Sequence, residues 1–131
     1  MGGTSNSHAG PAKQLSSMEF ARSLETILKE TRKADPALPL QTFLTLIEVS
    51  MHPGSSFLEP AERMDMTRSS VSRHVAYLSK EHWTKKKPGL DMVYWEEDAK
   101  ERRRKNVYLN ERGQWFLQHL NKTVNETLQG A

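Results

Sequence analysis

The sequence predicts a mainly α-helical fold with a small antiparallel β wing, a winged helix-turn-helix, and three observations lead there. Apolar residues recur at helical spacing in blocks that end at Asp35-Pro36 and at His52-Pro53-Gly54. The stretch Thr67-Arg68-Ser69-Ser70-Val71-Ser72-Arg73-His74-Val75 reads as a short helix with one buried face and an outer surface rich in hydroxyls and arginines. Two basic runs, Lys85-Lys86-Lys87 and Arg102-Arg103-Arg104-Lys105, flank a segment that alternates enough to form a charged hairpin.

Size and composition narrow the class. A chain of 131 residues with 36% hydrophobic and 27% charged residues matches one domain able to bury a core. No apolar run approaches the roughly 18 residues that a membrane span needs, and the N-terminus lacks the charged start and apolar stretch of a secretory signal. The absence of cysteine excludes disulfides, thiolate metal sites and cysteine redox sensing within this sequence, and fits a cytoplasmic location. The net charge is only +3, but between Lys80 and Lys105 nine Lys/Arg meet six Asp/Glu, while ten meet ten elsewhere. The excess therefore sits in the expected hairpin, as a nucleic-acid partner requires; a solvated mixed-charge loop is the competing reading.

Residues 1–14 are Gly/Ser/Asn-rich without an apolar period and are expected to be a disordered tail, with 15–131 as one winged-helix domain. Ser16 and Ser17 are N-cap candidates with Glu19 in the first turn, and Phe20, Leu24, Ile27 and Leu28 share one face of a helix over 16–34. A second helix opens near Pro39; Phe43, Leu44, Leu46, Ile47 and Met51 make it apolar on more than one face, which places it centrally. Ser55-Ser56-Phe57-Leu58 is compatible with a short strand, and Glu59 to Met64 with a brief helix before a turn at Asp65-Met66. Thr67 caps the next helix, which is expected to reach Glu81 with Val71, Val75 and Leu78 inward and Arg68, Ser69, Ser72, Arg73 and Tyr77 outward. Trp83–Lys87 and Asn106–Leu109 are the expected paired strands. Met92, Val93, Tyr94 and Trp95 then fall in the wing, where they continue a strand, pack on the domain or meet a partner. Asn110 caps a last helix over 110–129 with Trp115, Phe116, Leu120, Val124 and Leu128 in a stripe.

These residue types suit duplex DNA. A helix entering the major groove needs short donors and acceptors near its start and arginines that reach guanine edges or phosphates. Thr67, Arg68, Ser69, Ser70, Ser72, Arg73 and Tyr77 supply them, and the wing adds Lys85, Lys86, Lys87, Arg102, Arg103, Arg104 and Lys105. A wing arginine can also enter a narrow A·T minor groove.

From Leu40 to Phe116 the chain resembles the MarR-type winged-helix transcription regulators. Two segments carry the resemblance: Thr67 to Val75, similar to the family's recognition helix, and Asp98-Ala99-Lys100-Glu101-Arg102-Arg103-Arg104-Lys105-Asn106-Val107-Tyr108-Leu109-Asn110-Glu111-Arg112-Gly113, similar to its wing and the start of its next helix. The resemblance implies major-groove contacts by Ser69, Ser70 and Arg73, a wing-tip role for Arg103, and Glu101 in place of an aspartate that steadies it. Asn110 stands where the family has a threonine cap. The chain departs in a wing longer by several residues from Pro88 to Glu97, and in having room for one C-terminal helix rather than two. The family's small-molecule pocket depends on that framework, which argues against an effector.

The terminal helices carry the homodimer expectation. Phe20, Leu24, Ile27 and Leu28 with Trp115, Phe116, Leu120, Val124 and Leu128 either join two copies or pack within one. His8, His52, His74, His82 and His119 show no metal-ligand spacing, and no carboxylate pair, phosphate loop or nucleophile elbow is evident, so no metal, cofactor or enzyme activity is expected. The expected function is sequence-specific binding of double-stranded DNA by a regulator of transcription, a repressor in the first reading. The alternatives are a phage or plasmid DNA-binding accessory protein for replication or transfer, and a winged-helix module that binds proteins through Met92-Val93-Tyr94-Trp95.

Overall fold

Side-chain caps decide where the long helices begin, because the first amides of a helix have no partner within it. The structure, a computed structural model, describes residues 14–80 and 88–130. At the head of α1 (Ser17–Ala34) the Ser16 hydroxyl accepts from the Glu19 amide at 3.1 Å and the Glu19 carboxylate accepts from the Ser16 amide at 3.0 Å. Helix α2 (Leu40–Met51) follows Pro39 without a side-chain cap. Strand β1 (Ser55–Ser56) and the short helix α3 (Leu58–Arg63) lead to a turn in which Asp65 takes a positive φ of 53°. Thr67 then caps α4 (Arg68–Leu78), accepting from the Ser70 amide at 3.0 Å. Strands β2 (Val93–Glu97) and β3 (Lys105–Leu109) form a hairpin, and Asn110 caps α5 (Glu111–Gln129) by accepting from Gly113 at 2.9 Å.

The sheet has the order β1-β3-β2 and is antiparallel throughout. Val93 pairs with Leu109 and Trp95 with Val107, while Ser55 pairs with Val107 on the other side. Val93 and Val107 turn inward to meet Leu46, Val49, Ala61, Val71, Val75, Leu78, Met92, Phe116 and Leu120, which together form the core. The turn-separated pair α3 and α4, followed by this hairpin, is a winged helix-turn-helix.

The hairpin corrects one expectation. Its first strand is Val93–Glu97, not Trp83–Lys87, which lies outside the described residues. Met92 and Val93 are core residues, buried with side chains of α4 and α5 such as Val75, Leu78 and Phe116. The extra residues from Pro88 onward therefore do not lengthen the wing, whose tip spans only 98–104. They form a connector that runs back along the end of α4: the amides of Gly89, Leu90, Asp91 and Met92 donate to the carbonyls of Lys80, Tyr77, Ser79 and Leu78. Carbonyls that a helix C-terminus leaves unpaired are thus satisfied by chain rather than water, which is why α4 stops at Leu78 instead of reaching Glu81. Nor is α2 apolar all round in effect. Thr42 and Thr45 are buried with Leu46 and Val49, whereas Leu40, Leu44 and Met51 are exposed.

Helices α1 and α5 pack along each other through small polar residues. Thr26 and Thr127 share a 3.1 Å hydrogen bond, and His119 Nε2 lies 2.7 Å from Glu30 Oε1. The inward residues of α1 are Ser23 and Thr31, whose hydroxyls return to the Glu19 and Ile27 carbonyls of their own helix. Its apolar stripe consequently faces out: Phe20, Leu24 and Leu28 are 55%, 44% and 56% exposed. On α5 the stripe divides. Trp115 is 62% exposed and stacks on His119, whereas Phe116 and Leu120, at 4% and 6%, belong to this chain's own core and leave nothing for a second copy. Ile27 packs against that core, and Val124 and Leu128 are half-buried.

The start of α5 sits so close to the connector that a Cβ at Gly113 would lie 2.1 Å from the Met92 carbonyl oxygen. A backbone atom cannot yield as a flexible side chain does. Gly113→Ala is therefore expected to destabilise the fold by about 1–3 kcal/mol in urea denaturation, and Gln114→Ala, on the exposed side of the same turn, by less than about 0.5 kcal/mol. Equal midpoints for the two variants would contradict this packing.

Candidate nucleic-acid interface

Helix α4 owes its two faces to its sequence. Val71, Val75 and Leu78 are buried at the spacing i, i+4, i+7, so Arg68, Ser69, Ser72 and Arg73 are left on the exposed side. Ser70 and His74 lie at the margin. His74 Nδ1 is 2.9 Å from the Thr42 hydroxyl of α2, and its Nε2 is 3.4 Å from the Ser70 hydroxyl. Burial, assisted by the Arg73 charge, lowers the His74 pKa and favours the neutral ring. The residue thus anchors α4 to α2 and offers no charge to a partner.

Tyr77 points away from that exposed side. Its hydroxyl donates to Asp35 Oδ2, in the link between α1 and α2. Burial first, and the Asp35 carboxylate second, push its pKa up to about 12. The phenol therefore remains a donor at any ordinary pH.

The wing tip is a compact turn organised by Asp98. Its Oδ1 accepts from the Lys100 and Glu101 amides at 2.8 and 3.2 Å, and its Oδ2 from Asn106 Nδ2 at 3.2 Å. The Lys100 amide, then the Asn106 side chain, hold this carboxyl below the usual aspartate range. Two backbone bonds, Asp98 N–H to Arg104 O and Arg104 N–H to Glu101 O, both 2.9 Å, close the turn. The residue that steadies the wing is therefore Asp98, and Glu101 contributes backbone only to these bonds.

The three arginines of the tip differ in circumstance. Arg104 Nη2 donates to Glu59 Oε2 at 3.1 Å, and its Nε donates to Asn106 Oδ1 at 3.1 Å and lies 3.7 Å from Asp98 Oδ2. Glu59, in the first turn of α3, is itself held by the Ser56 amide at 2.9 Å and the Ser56 hydroxyl at 3.3 Å. The Ser56 amide is the main reason its pKa is lowered, and Arg104 adds to the effect. Arg102 and Arg103 are exposed, and among the described residues no side chain is bonded to either. Lys105 lies 5.8 Å over the Trp95 ring, which meets Phe57 edge-on at 6.3 Å.

Between α4 and the wing lies an open cleft of about 730 Å³. Arg68, Ser69 and Ser72 form one wall, Glu101, Arg103, Arg104 and Lys105 the other, and Ser56, Phe57 and Leu58 the floor. Of the helix and wing residues singled out in the sequence, Arg68, Ser69, Ser72, Arg103, Arg104 and Lys105 meet in this cleft. Thr67, Ser70, Arg73 and Arg102 do not line it, Tyr77 is turned inward, and Lys85, Lys86 and Lys87 lie outside the described residues. Sequence reasoning missed Glu59, Asp98 and Asn106. Asp98 carried a local signal, an acidic side chain two and three residues before the amides it caps; Glu59 carried none, being 45 residues from Arg104.

A helix-turn-helix with a basic hairpin moored beside it defines a winged-helix protein. More narrowly, the fold is that of the MarR-type regulators. The chain superposes on MarR with a TM-score of 0.58 and 18% identity, over 86% of this chain and 74% of that one. A structure of the S. aureus MepR-DNA complex matches with a TM-score of 0.68 and 19% identity, over 86% and 84% of the two chains. A MarR transcriptional regulator from Methanosarcina mazei Go1 matches at 0.59 and 17%, over 85% and 72%. No family profile matches the sequence, and neither does any curated protein sequence. Among the described residues no helix is long and apolar enough to cross a membrane.

The Asp98 carboxyl gives the turn a defined acid response. Its folded-state pKa lies below its unfolded one, so its contribution is complete above about pH 4 and is lost as the pH falls through the folded value. In an NMR titration the Lys100 and Glu101 amide resonances should therefore shift together, with a midpoint below that of an unperturbed aspartate. A midpoint at or above about pH 4 would contradict the arrangement.

Proposed function

We propose that the chain is a MarR-type regulator of transcription that binds duplex DNA as a homodimer and represses by occupying a promoter site. The observation that carries this reading is the cleft itself, in which Arg68, Ser69 and Ser72 of α4 face Arg103, Arg104 and Lys105 of the wing. The first two turns of α4, with Arg68, Ser69, Ser70, Ser72 and Arg73, would enter the major groove. Arg102, Arg103 and Lys105 would lie along the backbone and the adjacent minor groove. MepR, similar in fold, was solved with DNA, which supports the assignment by analogy.

The dimer reading draws on α1 and α5. Phe20, Leu24 and Leu28 of α1 and Trp115 of α5 are large exposed apolar residues, of a kind that usually marks an interface. Ile27, Val124 and Leu128 would contribute at its margin; Phe116 and Leu120 support it from the core. A two-fold dimer would read an inverted repeat with half-sites about one helical turn apart. The protein-module alternative loses support, since Met92 and Val93 of its proposed surface are buried.

Selection of bound sequences from a random duplex pool tests the whole reading: an inverted repeat is expected, and no enrichment would overturn it. Arg73→Ala should weaken binding to the selected duplex by about 1–3 kcal/mol and relax the base preference at one position of each half-site. An equal loss on every sequence would leave Arg73 a phosphate contact. Leu24→Asp should convert the dimer to monomer in sedimentation velocity without unfolding the chain; unchanged mass would overturn the assigned interface.

A further inference from the structure

We propose that Glu59 is a positioning residue for the wing: through Arg104 it sets the direction in which Arg102 and Arg103 meet DNA, and Arg104 serves this tie rather than the DNA. The inference rests on the DNA-binding reading above and names a part of that site which its motif does not contain.

A continuous polar chain runs from the floor of the cleft to the wing tip. Ser56 holds Glu59 by its amide and hydroxyl, Glu59 receives Arg104 at 3.1 Å, Arg104 donates to Asn106 at 3.1 Å, and Asn106 donates to Asp98 at 3.2 Å. Asp98 in turn holds the Lys100 and Glu101 amides, immediately before Arg102 and Arg103. Two members of the chain are also fixed by the sheet, because Ser56 pairs with Asn106 across β1 and β3. The Arg104 guanidinium is thus gripped on two nitrogens by two elements, α3 and the hairpin. A planar fork held in this way fixes direction, which a single flexible contact does not.

Exposure separates positioning from stability. Arg104 and Glu59 are 41% and 44% exposed at their side chains, and pairs this open add little to the stability of a fold. Their removal should leave the melting temperature nearly unchanged. The hairpin would still form, but its tip would no longer be referred to α3 and hence to α4. A drift of about 1 Å at an arginine tip is enough to spoil its fit to a groove.

The sign of the effect distinguishes this role from simple charge. Glu59 is a negative group beside the floor of a cation-lined cleft, so on electrostatics alone Glu59→Gln should tighten binding to DNA. A positioning role requires the opposite, weaker binding by about tenfold. Arg104→Gln should weaken binding to a similar degree while the slope of log affinity against log salt stays that of the unaltered chain. Were Arg104 instead bound to a DNA phosphate, its removal would reduce that slope by about 0.9.

The experiment measures the full-length chain, Glu59→Gln, Arg104→Gln and Arg103→Ala on the duplex selected by the unaltered protein, across a salt series. Amide hydrogen exchange at Asp98 and Arg104 is followed in the absence of DNA. Support consists of weaker binding by both clamp variants, unchanged slope, unchanged melting, and faster exchange at the two turn amides. Tighter or equal binding by Glu59→Gln, or a slope reduced in Arg104→Gln, overturns the inference while Arg103→Ala still weakens binding and leaves the DNA-binding reading intact. Failure of the unaltered chain to bind any selected duplex overturns that reading, and this inference with it. Exchange at Asp98 and Arg104 equal to that of the unaltered chain in both clamp variants overturns the tie itself without reference to DNA.

Discussion

One residue's backbone holds the two halves of the structure together. The Met92 amide donates at 2.8 Å to Leu78, the last residue of α4, and the Met92 carbonyl accepts at 3.0 Å from Asn110, the cap of α5. Its side chain is buried in the core that both helices share. The helix that faces the cleft, the hairpin that begins one residue later, and the terminal helix are thereby set relative to one another by two hydrogen bonds and one close approach, that of Gly113. Asn110 reinforces the junction from its side chain, donating to the Asp91 carbonyl and carboxylate while it accepts from Gly113. Replacing Met92 by another apolar residue would spare the hydrogen bonds, so the constraint resides in the path of the chain and in the absence of a Cβ at Gly113.

The cleft shows a division between groups that hold and groups that are offered. Carboxylates at Glu59 and Asp98 lie under the wing and pair with Arg104 and backbone amides, and the neutral His74 pins α4 to α2. Arg68, Arg73, Arg102 and Arg103 remain exposed. A basic surface that must stay available repels itself, and acidic groups placed beneath it reduce that repulsion without covering it. This arrangement explains how a chain with a net charge of only +3 presents a strongly basic face.

What the sequence disclosed follows the range of each interaction. The caps at Ser16, Thr67 and Asn110 were legible because an N-cap acts over three residues and its residue types are few. The buried face of α4 was legible for the same local reason. The first strand of the hairpin is not legible locally, because strand pairing is non-local: Trp83–Lys87 alternates plausibly, yet Val93–Glu97 is the segment that pairs with β3. On α1 the rule that apolar residues face inward failed, since Ser23 and Thr31 satisfy their hydroxyls on their own helix and permit a close approach to α5. The Glu59–Arg104 pair joins elements that no periodicity relates, so only the folded chain reveals it.

The bond from Tyr77 to Asp35 has a mechanical meaning. Asp35 ends α1, its amide donating to Thr31, while its carboxylate accepts from Ala37 and from the tyrosine of α4. A rotation of α1 that preserves this bond pulls on the rear of α4 like a lever on its fulcrum, and a rotation that breaks it forfeits a hydrogen bond to a charged group, about 1.5–3 kcal/mol. That figure is also a ceiling on what this single strut can transmit between the two helices, because a link cannot carry more work than its own rupture releases.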